Sequence, residues 1–307
     1  LKMAVADRLV FAKIRGAFGG RVTCFITGAA PIAMDILEFF WGVGLNIYEA
    51  YGMTESTVIT HINRPGFVQL GSVGQAIEPM EVKIAADGEV LMKGPFVFKG
   101  YFKNDEATSN TIIDDWLHTG DIGAIDGSGY LRITDRKKHL IITAGGKNLA
   151  PANIANAIAN QDPLISQVHP HGDKRAYVSA LIAPSPLETL EWGAAEGCIS
   201  ATELRERQEE LTRDPTARSE ALNRSVAKVV KASGYRARVR KAVEAGNRDL
   251  AQVERVRRYV LLDRDFSQEE GELTPTMKVK RKAIEEKFHD LFDRIYTEDG
   301  FADEASS

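Results

Sequence analysis

Cysteine is scarce: 307 residues contain two, Cys24 and Cys198, far apart and outside any CxxC pattern. That excludes a disulfide framework and leaves buried or bystander thiols, the usage of a reducing compartment. Long apolar runs are missing as well. No uncharged stretch approaches the ~18 residues of a membrane-spanning helix, and no signal-peptide pattern is visible, so a cytoplasmic protein is the expectation. Neither sign of charge dominates. With 39 Lys and Arg against 43 Asp and Glu the net charge is −4. A dedicated nucleic-acid partner is therefore not expected, although a local basic face is not excluded. GxSxG and HExxH are absent, which removes support for hydrolase chemistry of those kinds. His118, His169 and His171 have no companions at metal-ligand spacing. No internal repeat or low-complexity tract is present, and 44% hydrophobic with 27% charged residues is ordinary globular composition.

The length suggests roughly two domains. The chain starts at Leu1 without an initiator Met, and Leu1–Ile14 reads as a helix already under way, so part of a longer protein is expected. Arg21–Thr27 is a β-branched apolar run ending at Gly28-Ala29-Ala30-Pro31. Pro31 suits the first turn of a helix over Ile32–Trp41, and Leu45–Ala50 reads as the next strand. Strand–helix–strand order is that of an α/β sheet. From Gly71 to Asp135 short strands dominate: a hairpin about Asp87-Gly88, a helix capped by Asn104, and strands through Ile125 and over Tyr130–Thr134. Asp135-Arg136-Lys137-Lys138 reads as a charged connector, dividing the chain into 1–135 and 136–307. Beyond it come a strand over Leu140–Thr143, a glycine loop Ala144–Asn148, a helix over Pro151–Asn160 and strands over Ile165–His169 and Tyr177–Ile182. A helical stretch over Leu187–Leu250, a strand over Val256–Leu262, a closing helix over Lys280–Tyr296 and a frayed acidic tail follow.

The stretch Tyr51-Gly52-Met53-Thr54-Glu55-Ser56 carries the most chemistry. An aromatic face, a flexible glycine, a hydroxyl and a carboxylate follow a strand end, where open α/β sheets place ligands. Tyr51 can stack on a nucleobase, Thr54 can bond a phosphate, and Glu55 can hold a hard divalent cation. An ordinary polar turn is the alternative. Arg224–Arg258 holds eleven Lys and Arg against three Asp and Glu. A solvated helical face is the default there; contact with anionic lipid at the inner face of a membrane, or with coenzyme A phosphates, is the other reading.

Four stretches together resemble the adenylate-forming (AMP-binding) superfamily, and within it the long-chain fatty acyl-CoA synthetases. They are Ile26–Pro31, Tyr48–Glu55, Ile141–Asn148 and Leu273-Thr274-Pro275-Thr276-Met277-Lys278. The resemblance runs in order along essentially the whole chain and corresponds to the second half of a full-length member. The fold it implies is α/β: the end of a large adenylation domain, with a small β-rich subdomain, followed by a smaller α+β lid. The activity it implies has two steps. A fatty acid carboxylate attacks the α-phosphate of ATP, giving an acyl-adenylate and pyrophosphate, and the thiol of CoA then displaces AMP. Bringing two anions together requires a cation aimed at the developing charge.

The resemblance assigns that cation to Lys278, beside Thr54 and Glu55 as catalytic residues, with Glu55 holding Mg²⁺. Gly28, Ala29, Ala30, Tyr51, Gly52, Thr54, Asp121 and Arg136 would contact AMP or ATP, Asp121 through the ribose hydroxyls. Asp135 would be the hinge, and Gly145, Gly146 and Lys147 would line the CoA channel. Met277 departs from the Gly-Lys form common in the superfamily, a departure that long-chain synthetases share. The family's Ser/Thr/Gly-rich phosphate loop has no counterpart here, so a fragment inactive on its own is expected. The competing readings are a non-catalytic fragment that binds AMP or acyl-adenylate, and a carrier-domain adenylation or luciferase-like enzyme.

Overall fold

The computed structural model describes residues 6–305 apart from Ala30, Pro31, Ala33 and Thr276. Ala30 of the expected AMP-binding turn, Pro31 of the expected helix start and Thr276 of the lysine motif therefore lie outside the described residues. The chain divides into two compact units, Leu1–Lys138 and His139–Ser307.

In the first unit, strand β1 (Phe25–Thr27) pairs parallel with β2 (Ile47–Tyr51), setting Thr27 opposite Glu49. The helix Met34–Gly42 connects them, as the sequence order requires. Alternation along β2 buries Tyr48 and Ala50. Trp41 packs edge-to-face on Tyr48 at 5.6 Å and donates its indole N–H to the Ile47 carbonyl at 2.9 Å. Strands β3 (His61–Ile62) and β4 (Gln75–Ala76) complete this sheet in antiparallel pairing.

A second sheet follows the Asp-Gly hairpin signal: β5 (Glu81–Ile84) and β6 (Glu89–Lys93) pair across it. Asn104 Oδ1 accepts the Ala107 N–H at 3.0 Å and caps the helix Asp105–Thr111, as expected. Strand β7 (Ile112–Ile113) pairs with β8 (Trp116–Ile125), and β8 runs between β6 and β9 (Leu131–Arg136). Met80, Val90, Met92, Leu117 and Leu131 form the core here, with Tyr51 and Met53 packed against it.

The connector reading of Asp135 and Arg136 requires correction. Both are ladder residues of β9, Arg136 opposite Asp121, and only Lys137–His139 forms a short 3₁₀ turn.

The second unit opens with a hairpin of β10 (Ile141–Ile142) and β11 (Asn148–Leu149), then the helix Pro151–Ala159. Its sheet runs β12 (Ile165–His171), β13 (Val178–Pro184), β14 (Val256–Leu261) and β15 (Asp303–Glu304). All of β13 is buried. Alternation sends Val178, Ala180 and Ile182 into one cluster with Ile154, Leu190, Val229 and Tyr235. Leu181 and Ala183 enter another cluster with Phe266, Ile284, Phe292 and Ile295. A strand covered on both faces must read as an apolar run, and each large aliphatic side chain so buried contributes roughly 1.5–3 kcal/mol.

Three expectations change in this unit. The helical stretch is four helices, Pro186–Ala195, Ala201–Arg213, Glu220–Val230 and Ser233–Arg248. The closing helix is two, Arg281–Lys287 and His289–Thr297, meeting at Phe288. The acidic tail supplies β15, because Arg236 and Arg258 pair with Asp303 and Glu304. Much of the basic stretch is thereby used internally, Arg238 forming a further two-pronged pair with Asp162 at 2.6 and 3.0 Å. Among the described residues no helix is long and apolar enough to cross a membrane. Cys24 is exposed, Cys198 is half-buried, and both are free thiols.

Candidate functional site

Strand β2 ends at Tyr51, and the chain turns sharply at Gly52. A Cβ there would stand 1.9 Å from the Val58 carbonyl oxygen, so no side chain fits. Thr54–Ser56 forms one 3₁₀ turn, closed by Ser56 Oγ, which accepts the Met53 N–H at 3.2 Å. Thr57 and Val58 then adopt φ values of 58° and 75°. A β-branched residue there sits against its own preference and persists only when neighbours hold it. Thr57 Oγ1 donates to the Phe96 carbonyl and the Phe98 N–H donates to the Glu55 carbonyl, each at 2.8 Å. Thr54 is exposed at this turn, and Glu55 Oε1 accepts the Tyr101 hydroxyl at 2.7 Å.

The β8–β9 ladder supplies the other half of the arrangement. Asp121 faces Arg136 across it, Oδ1 lying 3.3 Å from Arg136 Nε. Asp121 Oδ2 accepts the Tyr51 hydroxyl at 2.6 Å. Burial, then the adjacent Asp121 carboxylate, raises the Tyr51 phenol well above its ordinary range and keeps it the donor. The Tyr51 ring lies 5.9 Å from His61, whose buried imidazole is pushed down to about 4. A carboxylate offers about four lone-pair sites, so Asp121 retains acceptor capacity beyond Tyr51 and Arg136.

Gly120 adopts φ 70° within Thr119-Gly120-Asp121, and its N–H donates to Glu89 Oε1 at 2.9 Å. Thr119 Oγ1 donates to the Val90 carbonyl at 2.7 Å and accepts the Asp121 N–H at 3.1 Å. Glu89 is buried, and its Oε2 accepts from Lys137 Nζ at 3.0 Å and faces His118 Nδ1 at 3.1 Å. Burial alone would raise the Glu89 carboxyl, but Lys137, the Gly120 N–H and His118 outweigh it and hold the group below its usual range. Gly28 and Ala29 lie just past β1. A Cβ on Gly28 would meet the Ala50 carbonyl oxygen at 2.9 Å, and Ala29 has φ 67°.

In the second unit Lys278 is exposed on a tight loop. Leu273 and Val279 bridge its ends, the Thr274 N–H donates to the Lys278 carbonyl at 2.8 Å, and the Lys278 N–H donates to Thr274 Oγ1 at 3.0 Å. Met277 takes φ 61° at the bend. The base is anchored by Glu272, fully buried, which accepts two bonds from Arg264 at 2.8 and 2.6 Å, the Ser267 N–H at 2.9 Å and Lys287 at 3.0 Å.

The glycine loop is the tip of the β10–β11 hairpin. The Gly146 N–H donates to the Thr143 carbonyl, Gly146 has φ 72°, and Gly145, Gly146 and Lys147 are exposed. The structure thus brings Tyr51, Asp121 and Arg136 into direct contact, with Glu55 in the turn after Tyr51. Lys278 and the glycine loop belong to the other unit, and Asp135, the expected hinge, is buried within β9.

Glu89, Lys137, Tyr101 and Glu272 were not singled out by the sequence patterns. The readable signal for Glu89 was a carboxylate opening an apolar strand directly after Asp87-Gly88. Among the described residues no group of three or more His, Cys, Asp or Glu is placed to hold a metal ion. A single partly exposed carboxylate such as Glu55 nonetheless fits Mg²⁺, which usually takes one or two carboxylates plus substrate oxygens.

Residues 3–102 match the family described as AMP-binding enzyme. The long-chain-fatty-acid–CoA ligase FadD15 of Mycobacterium tuberculosis is 37% identical over 298 residues, covering 97% of this chain and 46% of the relative. The long-chain-fatty-acid–CoA ligase ACSBG2 of Xenopus laevis is 35% identical over 313 residues, covering 98% and 41%. The chain thus spans less than half the length of these relatives. Among solved structures, the adenylation domain of a carboxylate reductase from Mycobacterium chelonae aligns with a TM-score of 0.64 at 22% identity, covering 96% of this chain and 42% of that one. The O-succinylbenzoate coenzyme A synthetase of Bacillus subtilis, in complex with AMP, aligns at 0.59 and 22% identity, covering 89% and 48%. These likenesses establish the fold, that of adenylation domains, and residues 3–102 carry the match to the AMP-binding enzyme family.

Proposed function

We propose that this chain is the nucleotide-holding and lid portion of a long-chain fatty acid–CoA ligase, forming an acyl-adenylate from ATP and then a thioester with CoA. The observation that carries the reading is the meeting of Tyr51, Asp121 and Arg136. An aromatic ring beside a carboxylate with spare acceptor sites suits adenine and the two ribose hydroxyls of AMP. Gly28 and Ala29, with little or no side chain, leave the backbone past β1 open to the nucleotide, and Gly52 allows the sharp turn after Tyr51. Thr54 bonds a phosphate, and Glu55 would hold Mg²⁺, which when bound neutralises phosphate charge. Lys278 brings its ammonium to the carboxylate and the α-phosphate. A compact cation on a long stem suits a residue that must enter and then leave. Asp135, next to the last residue of β9, is the proposed hinge between the two steps, and Gly145, Gly146 and Lys147 would border the pantetheine of CoA.

The phosphate loop expected of the family is not among these 307 residues, and the chain covers 46% of the FadD15 relative. We therefore propose that the chain alone binds AMP without forming adenylate, and that it acts in fatty acid metabolism as part of a longer enzyme. Tests belong in that longer enzyme: long-chain fatty acid and ATP should yield a hydroxylamine-trappable adenylate, and free CoA should consume it. Consumption only by a tethered carrier domain would favour a carrier-domain adenylation enzyme instead. Pyrophosphate release by the 307-residue chain at the rate of the longer enzyme would refute the division of labour.

A further inference from the structure

We infer that Glu89 is a positioning residue that holds the Asp121–Arg136 pair from outside. The inference rests on the nucleotide role of Asp121 proposed above. Asp121 and Arg136 stand opposite each other in the β8–β9 ladder. Glu89, on the neighbouring strand β6, reaches the residue before Asp121 and the residue after Arg136. Its Oε1 accepts the Gly120 N–H at 2.9 Å, and its Oε2 accepts from Lys137 Nζ at 3.0 Å. Lys137 is held a second time by Asp87 at 2.6 Å, and His118 Nδ1 lies 3.1 Å from Glu89 Oε2.

Two further observations support a clamp. The β6–β8 register shifts between Glu89 and Leu91, so the ladder does not hold Gly120 regularly and the carboxylate stands in for it. Gly120 itself adopts φ 70°, a conformation open to several alternatives once its N–H is released. The Glu89 side chain is 6% exposed, so its carboxylate is withdrawn from water even though Lys137 is half-exposed. Charge-assisted bonds in such a setting fix geometry more firmly than neutral ones. Lys137 is also the residue before Lys138, where the first unit ends. One carboxylate therefore sets both the ribose-facing turn and the departure of the chain from that unit.

The test uses the 307-residue chain, AMP calorimetry and amide hydrogen exchange over Asp135–Lys138. Glu89→Ala should weaken AMP by about tenfold and speed exchange by a similar factor, the scale of losing a buried charge-assisted bond. Glu89→Gln keeps an acceptor for Gly120, so AMP affinity should return to within about threefold of wild type while exchange stays fast. Lys137→Met should reproduce the exchange effect alone. Leu131→Ala, a core truncation, controls for loosened packing. If Glu89→Ala lowers Tm as Leu131→Ala does, yet leaves AMP affinity and exchange at wild-type values, Glu89 is merely structural. Absence of AMP binding by the wild-type chain would sink the nucleotide reading instead, and exchange in Lys137→Met and Glu89→Ala would still decide the clamp.

Discussion

The two units each hold a loop of proposed function on a buried carboxylate, yet one proposed working group is buried and the other exposed. In the first, Glu89 grips Gly120 and Lys137, and the groups it serves are themselves engaged: Asp121 is buried and bonded to Tyr51. In the second, Glu272 takes Arg264, Lys287 and the Ser267 N–H, but the loop it anchors puts Lys278 into solvent. A group that must recognise a nucleotide gains from being fixed beforehand. A cation needed in one step and absent from the next gains from a rigid base and a long stem. On the proposed roles, the two units use one device for two purposes.

The contrast breaks most sharply at Lys278. In a full-length enzyme carrying this sequence, Lys278→Ala should slow adenylate formation about 10³-fold, the scale of removing a charge aimed at the transition state. Thioester formation from supplied acyl-adenylate should stay within about threefold, and separate half-reaction assays would read both. Gly146→Val, at φ 72°, should show the reverse preference. Equal loss in both half-reactions would count against a lysine that acts in one step.

Next in size is the anchor of that loop. Glu272→Ala leaves Arg264 and Lys287 without their buried partner and should destabilise the second unit by about 3 kcal/mol. Denaturant titration should show that unit's transition move while the first unit's stays. The buried histidines offer a comparable effect through pH. His169 lies 3.7 Å from Glu285, beyond hydrogen-bond reach, and burial pushes it down to about 4, so it is neutral and not an ion pair. Its folded pKa is below the unfolded 6.5, so stability is complete above about pH 6.5 and is lost as pH falls through about 4. His169→Leu should remove up to about 3 kcal/mol of that dependence in the second unit, read as Tm against pH. His61 should leave a similar slope in the first unit. Smallest is Tyr51→Phe, which keeps the ring but not the bond to Asp121 and should weaken AMP about fivefold.

Local signals were the legible part of this fold. Asp87-Gly88 announced its hairpin, Asn104 its helix cap, and the alternation of β2 put Tyr51 at a strand end. What depended on distant partners was not legible. Glu304 becomes a strand residue only because Arg258 stands opposite it, and Arg136 leaves the connector because Asp121 does. The break at Phe288 divides an amphipathic pattern that reads as continuous. For the site, the motif residues could be named from their chemistry. The carboxylates behind them could not, since Glu89 and Glu272 reveal their roles only through cations 48 and 15 residues away in sequence, Lys137 and Lys287.

The central claim is that Tyr51, Asp121 and Arg136 form a nucleoside monophosphate site. Calorimetric titration of AMP into the 307-residue chain and into Asp121→Ala addresses it directly. The account predicts saturable one-site binding that weakens at least about thirtyfold in the variant, since a buried charged acceptor is lost. Equal affinity of the two proteins for AMP, or no binding by either, would contradict it.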